Sequence, residues 1–141
     1  MPYVRPFLQL VVLLILLNGC SKQESNPLEG TWTMESGTYT NLKENQKIET
    51  DQIGRFSIKI MAPNHFAVVE MFKSKPDSLF FAAVGTYQLT KNKYIEKYEA
   101  SNVGYQVGTS REFDYSLQGD RWTITQFKED IELREVWVRV R

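Results

Sequence analysis

The chain has 141 residues, 17 basic side chains balanced by 17 acidic ones, one histidine and one cysteine. That balance excludes a partner drawn by charge. Nucleic acid asks for a clustered basic face, whereas the only local excess, Arg134, Arg139 and Arg141, is interleaved with Glu132 and Glu135. A single cysteine and a single histidine leave no internal disulfide and no ordinary zinc ligand set, and neither a Gly-rich phosphate loop nor any other motif calls for a cofactor.

The first element is a leader. Arg5 is its one charge, and the apolar run from Phe7 to Leu17 is interrupted only by Gln9. Such a run is about half the ~20 residues of a bilayer span and has the form of a signal-peptide hydrophobic region. A slim residue, Gly19, precedes Cys20, so residues 1–19 are expected to be removed and Cys20 to become an acylated N-terminus. The bilayer is then the first partner, because one acyl chain binds marginally and additional chains anchor stably. Ser21 stands where an aspartate would favour the inner membrane, which points to the outer membrane of a cell envelope; whether the protein faces periplasm or exterior is left open. Residues 20–27 are polar and aperiodic and read as a flexible tether.

From residue 28 to 141 the chain reads as a single all-β domain. Aromatic and β-branched residues are punctuated by turn chemistry about every ten positions: Pro63-Asn64, Lys75-Pro76-Asp77-Ser78, Lys91-Asn92, Gln118-Gly119-Asp120 and Glu129-Asp130. These separators predict strands near 29–39, 54–62, 65–73, 79–90, 93–101, 110–118, 121–128 and 132–140. Short links force antiparallel neighbours, and eight such strands close into an up-and-down barrel that removes exposed edges and holds side chains or one small ligand. The one long link, Thr40 to Ile53, is expected to be a lid or a short helix.

Period-two alternation assigns faces. Phe56, Ile58 and Ile60 form the apolar side of their strand against Arg55, Ser57 and Lys59; Phe113, Tyr115 and Leu117, like Trp122 and Ile124, form the apolar sides of theirs. Two strands, 65–73 and 79–89, are apolar on both sides, which calls for a cover: the Thr40–Ile53 link or a partner subunit. Polar groups also fall on faces that should be buried. Glu70 shares its face with Phe66, Val68 and Phe72; Glu96 with Tyr94 and Tyr98; Glu135 with Trp137 and Arg139. A carboxylate inside a dry barrel costs several kcal/mol unless paired, and Arg139, Arg111 and the tyrosine hydroxyls are the expected partners. Two readings fit these groups, a satisfied structural network and the polar floor of a ligand cavity.

Leu28-Glu29-Gly30-Thr31-Trp32 places a Gly-x-Trp motif at the head of the first strand, and the chain here resembles the lipocalin and calycin superfamily. The resemblance implies that Trp32 plugs one barrel end and that an arginine of the last strand, Arg139 by position and face and Arg141 as the weaker candidate, crosses its indole. The chain also resembles the lipocalin-like lipoproteins of unknown function from Bacteroidetes, through Ile58-Lys59-Ile60, Asn64-His65-Phe66-Ala67, Gly85-Thr86-Tyr87, Tyr94-Ile95-Glu96, Gly119-Asp120-Arg121-Trp122-Thr123 and Glu135-Val136-Trp137-Val138-Arg139-Val140. Ala83-Val84 replaces a glycine pair frequent there, and that family implies no activity.

The functional expectation is therefore an envelope lipoprotein that binds a small, mostly apolar ligand, with Glu70, Tyr87, Tyr94, Glu96, Tyr98, Arg111, Tyr115 and Glu135 as candidate ligand contacts and Gly30, Trp32 and Arg139 as the structural signature. The alternative is a packed barrel that docks a protein partner or a second copy through its outer surface near Met71, Phe80 and Ala82. An enzyme built on pairs among Glu70, Glu96 and Glu135 ranks third, and a metal at His65 below that.

Overall fold

The computed structural model describes residues 26–50 and 54–141. The expected leader (1–19), Cys20, most of the tether and the end of the long link at 51–53 lie outside the described residues.

Among the described residues nine strands run in chain order: β1 Gly30–Asn41, β2 Gln46–Glu49, β3 Arg55–Met61, β4 His65–Phe72, β5 Lys75–Leu89, β6 Lys93–Ser101, β7 Ser110–Gln118, β8 Arg121–Lys128 and β9 Ile131–Arg139. From β3 to β9 each strand pairs antiparallel with the next, and β1 pairs with β3 on one edge and with β9 on the other. The β1–β9 ladder runs from Trp32↔Arg139 to Asn41↔Ile131, shifting register between Met34 and Ser36. The sheet is a closed eight-stranded antiparallel up-and-down barrel, with β2 added to it. Closure follows from the short turns, and it leaves no long free edge on the cylinder.

Over its described residues, 40–50, the long link forms a strand and no helix, and it stands at one barrel end, as a rim and not across the opening. Its polar residues turn back as β2 and pair with the far end of β1, Thr38↔Glu49 through Asn41↔Gln46, while the near end of β1 pairs with β3, Gly30↔Met61 through Thr33↔Ile58. β2 and β3 therefore share one edge of β1. The Thr50 amide donates to the Gly37 carbonyl at 2.8 Å, continuing that edge past β2.

A second correction concerns β3. Arg55, Ser57, Lys59 and Met61 are buried, whereas Phe56 and Ile60 are exposed. The apolar set points outward and the polar set inward. Directly opposed residues of an antiparallel pair share a face, and the β3–β4 ladder sets Lys59 against Val68 and Ser57 against Glu70. Since Phe66, Val68 and Glu70 point inward, β3 must turn its charged side in. A slip of one residue at the Pro63-Asn64 turn would have reversed this.

One barrel end is filled. Trp32, Trp122 and Tyr94 are fully buried, with Trp122 edge-on to Trp32 at 5.6 Å and to Tyr94 at 5.0 Å, and Tyr94 stacked on Phe113 at 5.9 Å. The Trp32 indole N–H donates to the Leu28 carbonyl at 2.8 Å. The Arg139 guanidinium carbon lies 4.2 Å from the centroid of the Trp32 ring, while its nitrogens donate to the carbonyls of Glu29 and Pro27. Arg141 instead pairs with Asp120. Gly30 has φ +126°, and a Cβ there would sit 2.7 Å from Nη1 of Arg139, so the motif needs glycine both for its backbone angle and for the arginine's approach. Gly85 is required by space alone, since a Cβ would lie 2.0 Å from the Lys97 carbonyl oxygen where β5 and β6 shift register.

Candidate ligand cavity

At the opposite end the barrel is hollow. A cavity of about 470 Å³ opens there. Its floor is set by the inward residues halfway along the strands: Lys59 of β3, Val68 of β4, Glu96 of β6, Phe113 of β7 and Trp137 of β9. One step further up stand Glu70, Phe81, Tyr98, Arg111 and Glu135, and the rim carries Tyr39, Ile48, Thr50, Arg55, Phe80, Val103, Tyr105 and Gln106.

The floor is a closed ionic network. Lys59 Nζ donates to Glu96 Oε1 at 2.7 Å; the Tyr94 hydroxyl donates to the same oxygen and the Tyr98 hydroxyl to Oε2, each at 2.7 Å. Both ions are almost wholly buried. The Lys59 ammonium also sits between the rings of Trp137, Trp122, Tyr94 and Phe66, 5.0 to 5.8 Å from their centroids. Burial works to raise the Glu96 carboxyl pKa, but Lys59 and the two tyrosine hydroxyls outweigh it and hold the group below its usual range. Burial and the facing Glu96 carboxylate push the hydroxyls of Tyr94 and Tyr98 well above their ordinary range, fixing them as donors.

The upper tier is less completely matched. Arg55 Nη1 donates to Glu70 Oε2 at 2.9 Å, its guanidinium 4.9 Å from the Phe80 ring centroid, and its Nε is buried with no partner among the described residues. Burial first, and then the neighbouring Glu135 carboxylate, push Glu70 up to about 6 despite Arg55. Glu135 accepts from the Trp137 indole N–H at 3.0 Å. Arg111 makes no ion pair with the acids among the described residues: Nη2 and Nε donate to the side-chain oxygen of Gln126 at 2.7 and 3.3 Å, and the guanidinium lies over Phe113 at 5.0 Å. Partly satisfied charges in a site of low polarity are where an incoming polar group gains most.

Of the candidate contacts, Glu70, Glu96, Tyr98, Arg111 and Glu135 line the cavity, and Tyr87, Tyr94 and Tyr115 do not. Tyr94 lies beneath the floor, bonded to Glu96. Tyr87 belongs to the filled end, donating to the Ala62 carbonyl and accepting from Asn26; Tyr115 donates to the Thr90 carbonyl. Expectation also erred on the cations: Arg139 seals the filled end, and Glu70 and Glu96 are matched by Arg55 and Lys59, with Glu135 held by the Trp137 indole. The signal for them was the demand itself, since two inward glutamates on β4 and β6 require cations from a strand whose alternate residues are basic. His65 is exposed beside the filled end, its Nδ1 2.6 Å from the Asn64 side-chain oxygen, away from the cavity. Among the described residues no three His, Cys, Asp or Glu side chains gather as a metal site.

Residues 27–141 match the family model of a domain of unknown function, DUF4488. This chain belongs to that family. The match spans the whole barrel and begins one residue before Leu28, so the DUF4488 unit and the cylinder coincide. No curated protein and no solved structure matches the DUF4488 chain.

Proposed function

We propose that this DUF4488 protein is an outer-membrane lipoprotein, anchored through acylated Cys20, whose barrel binds a small and mostly apolar ligand in a carrier or sequestering role. The observation that carries the reading is the cavity: about 470 Å³ falls within the range of small-molecule sites, which pair apolar walls with a few placed polar groups. Phe80, Phe81, Val68, Tyr98 and Phe113 supply the walls. Arg55, Arg111, Glu70 and Glu135 supply polar groups for one end of the ligand, which makes it apolar along its body and polar at its tip. Glu96 is tied by three donors and acts as structure, not as a proton carrier. The Gly-x-Trp head of β1 with Arg139 across the indole supports placing the barrel beside the lipocalins. A packed adaptor barrel is the competing reading, and it would leave almost none of this volume.

The test is native mass spectrometry of protein taken from its host's membranes without refolding, beside a Val68→Trp variant that fills the cavity. A small mass carried by the wild type and lost from the variant supports the reading. Bare protein in both cases, with no uptake of an apolar fluorescent probe, overturns it.

A further inference from the structure

The outer surface of three consecutive strands is apolar without interruption. Ladder partners share a face, so Phe56↔Met71↔Leu79, Ile58↔Val69↔Ala82 and Ile60↔Ala67↔Val84 form three rows across β3, β4 and β5. Phe56, Ile60, Val69, Leu79 and Val84 are between 37% and 53% exposed. The outward side of β7 is the opposite in character, carrying exposed Glu112, Asp114 and Ser116. β2, the part of the long link that was expected to cover this face, lies against β1 instead.

We propose that this face is a membrane-contact surface that lays the barrel on the lipid bilayer holding its anchor. The inference rests on the reading of Cys20 as the acylated residue. Three observations select the bilayer as occupant. The described chain starts at Asn26, whose side-chain amide donates to the Pro63 carbonyl in the turn between β3 and β4, at one end of the apolar rows. Six residue steps from Cys20 to Asn26 reach about 20 Å at most, so a lipid on Cys20 keeps that end of the face within about 20 Å of the membrane. At the other end the rows run into the cavity rim, where Leu79 adjoins Phe80, itself part of the lining; among the described residues around the β4–β5 turn exposed Lys73 and Lys75 stand against Asp77, a balance suited to anionic headgroups. Finally, three strands by three rows measure roughly 14 by 20 Å from sheet spacings, near 300 Å², against the roughly 800 Å² per partner of a stable protein interface. That is too little to hold a second copy and enough to orient a domain already anchored. A ligand whose source is the bilayer then enters at Phe80 without crossing water.

The test places single spin labels on the full chain at Ile60→Cys, Val84→Cys and, on the polar wall, Ser116→Cys, in phosphatidylethanolamine–phosphatidylglycerol vesicles, and compares access to oxygen and to a water-soluble nickel complex. All three positions are surface sites that tolerate a label. The expected result is nickel access at 60 and 84 at least about threefold below that at 116, with oxygen access retained, as for side chains at the headgroup boundary. Equal nickel access at all three positions overturns the proposal. Exclusion of both reagents with spin–spin broadening at 60 and 84 also overturns it, in favour of a second copy. Mass analysis of the N-terminal peptide decides the acylation of Cys20 separately, so failure of the anchor and failure of the face are distinguishable.

Discussion

The two ends of this barrel solve opposite problems with the same kinds of residue. At the filled end an arginine, aromatic rings and a glycine with positive φ interlock and no ionised group is left unmatched: Arg139 lies over Trp32, the Trp32 indole N–H donates to Leu28 and Tyr87 to Ala62, and the one unpartnered polar atom there among the described residues is the neutral indole N–H of Trp122. At the open end the charges are more deeply buried yet incompletely matched, as the unpartnered Nε of Arg55 and the raised Glu70 testify. The Lys59–Glu96 pair divides the two regions, finishing the core below and flooring the cavity above. Sites that bind are commonly drawn from the less stable part of a fold, and here the division falls halfway along the strands.

The contrast can be broken most sharply at its boundary. Lys59→Met should destabilise the protein by about 3–5 kcal/mol, because it strands the Glu96 carboxylate in a dry interior; the double variant Lys59→Met/Glu96→Leu should recover most of that loss. Urea denaturation of the three proteins measures both effects. At the filled end Trp32→Ala should also cost about 3–5 kcal/mol by opening a cavity against Trp122. A Trp32→Ala protein as stable as wild type would mean that this end is not the stabilising one.

Acid titration sharpens the open end. Burial and the neighbouring Glu135 carboxylate push Glu70 up to about 6 in the folded protein, above the 4.5 of a free glutamate. A raised carboxyl contributes stability that is complete below pH 4.5 and is lost as pH rises through 6, a difference of about 2 kcal/mol. Glu96, held low, acts in the reverse sense: its contribution is present above 4.5 and lost as pH falls through its folded value. Subtracting the denaturation profile of Glu70→Gln from that of wild type isolates the first trend, and a flat difference between pH 4.5 and 6 would contradict it. Smaller still, Arg139→Leu should lose the cation–π contribution of about 0.5–2 kcal/mol, in addition to its two carbonyl contacts, seen as a lowered Tm. Tyr105→Ser, at a rim position 83% exposed, should change stability by less than about 0.5 kcal/mol while weakening uptake of an apolar fluorescent probe.

Much of this molecule was legible from the chain, and the reason is local. Turn chemistry at Pro63-Asn64, Lys91-Asn92 and Gln118-Gly119-Asp120 marks strand ends because those residues favour bends and interrupt ladders, so eight strands, their order and their antiparallel pairing followed from short-range information. Trp32 and Arg139 were legible as a pair through a motif whose parts lie at the two ends of the domain. The acids inside the barrel were legible too, since alternation set Glu70, Glu96 and Glu135 among aromatic residues.

Sign and partnership were not. Alternation in β3 separates Phe56, Ile58 and Ile60 from Arg55, Ser57 and Lys59, yet which set faces inward depends on register with β4, and a one-residue change exchanges them. Tertiary structure chose the costly orientation, burying two cations and turning three apolar side chains outward, because Glu70 on the adjacent β4 and Glu96 across the barrel on β6 already stood within. The same choice emptied the upper half of the barrel and made the apolar face across β3, β4 and β5. A sequence carries the period of a strand; only the strands packed around it fix the phase.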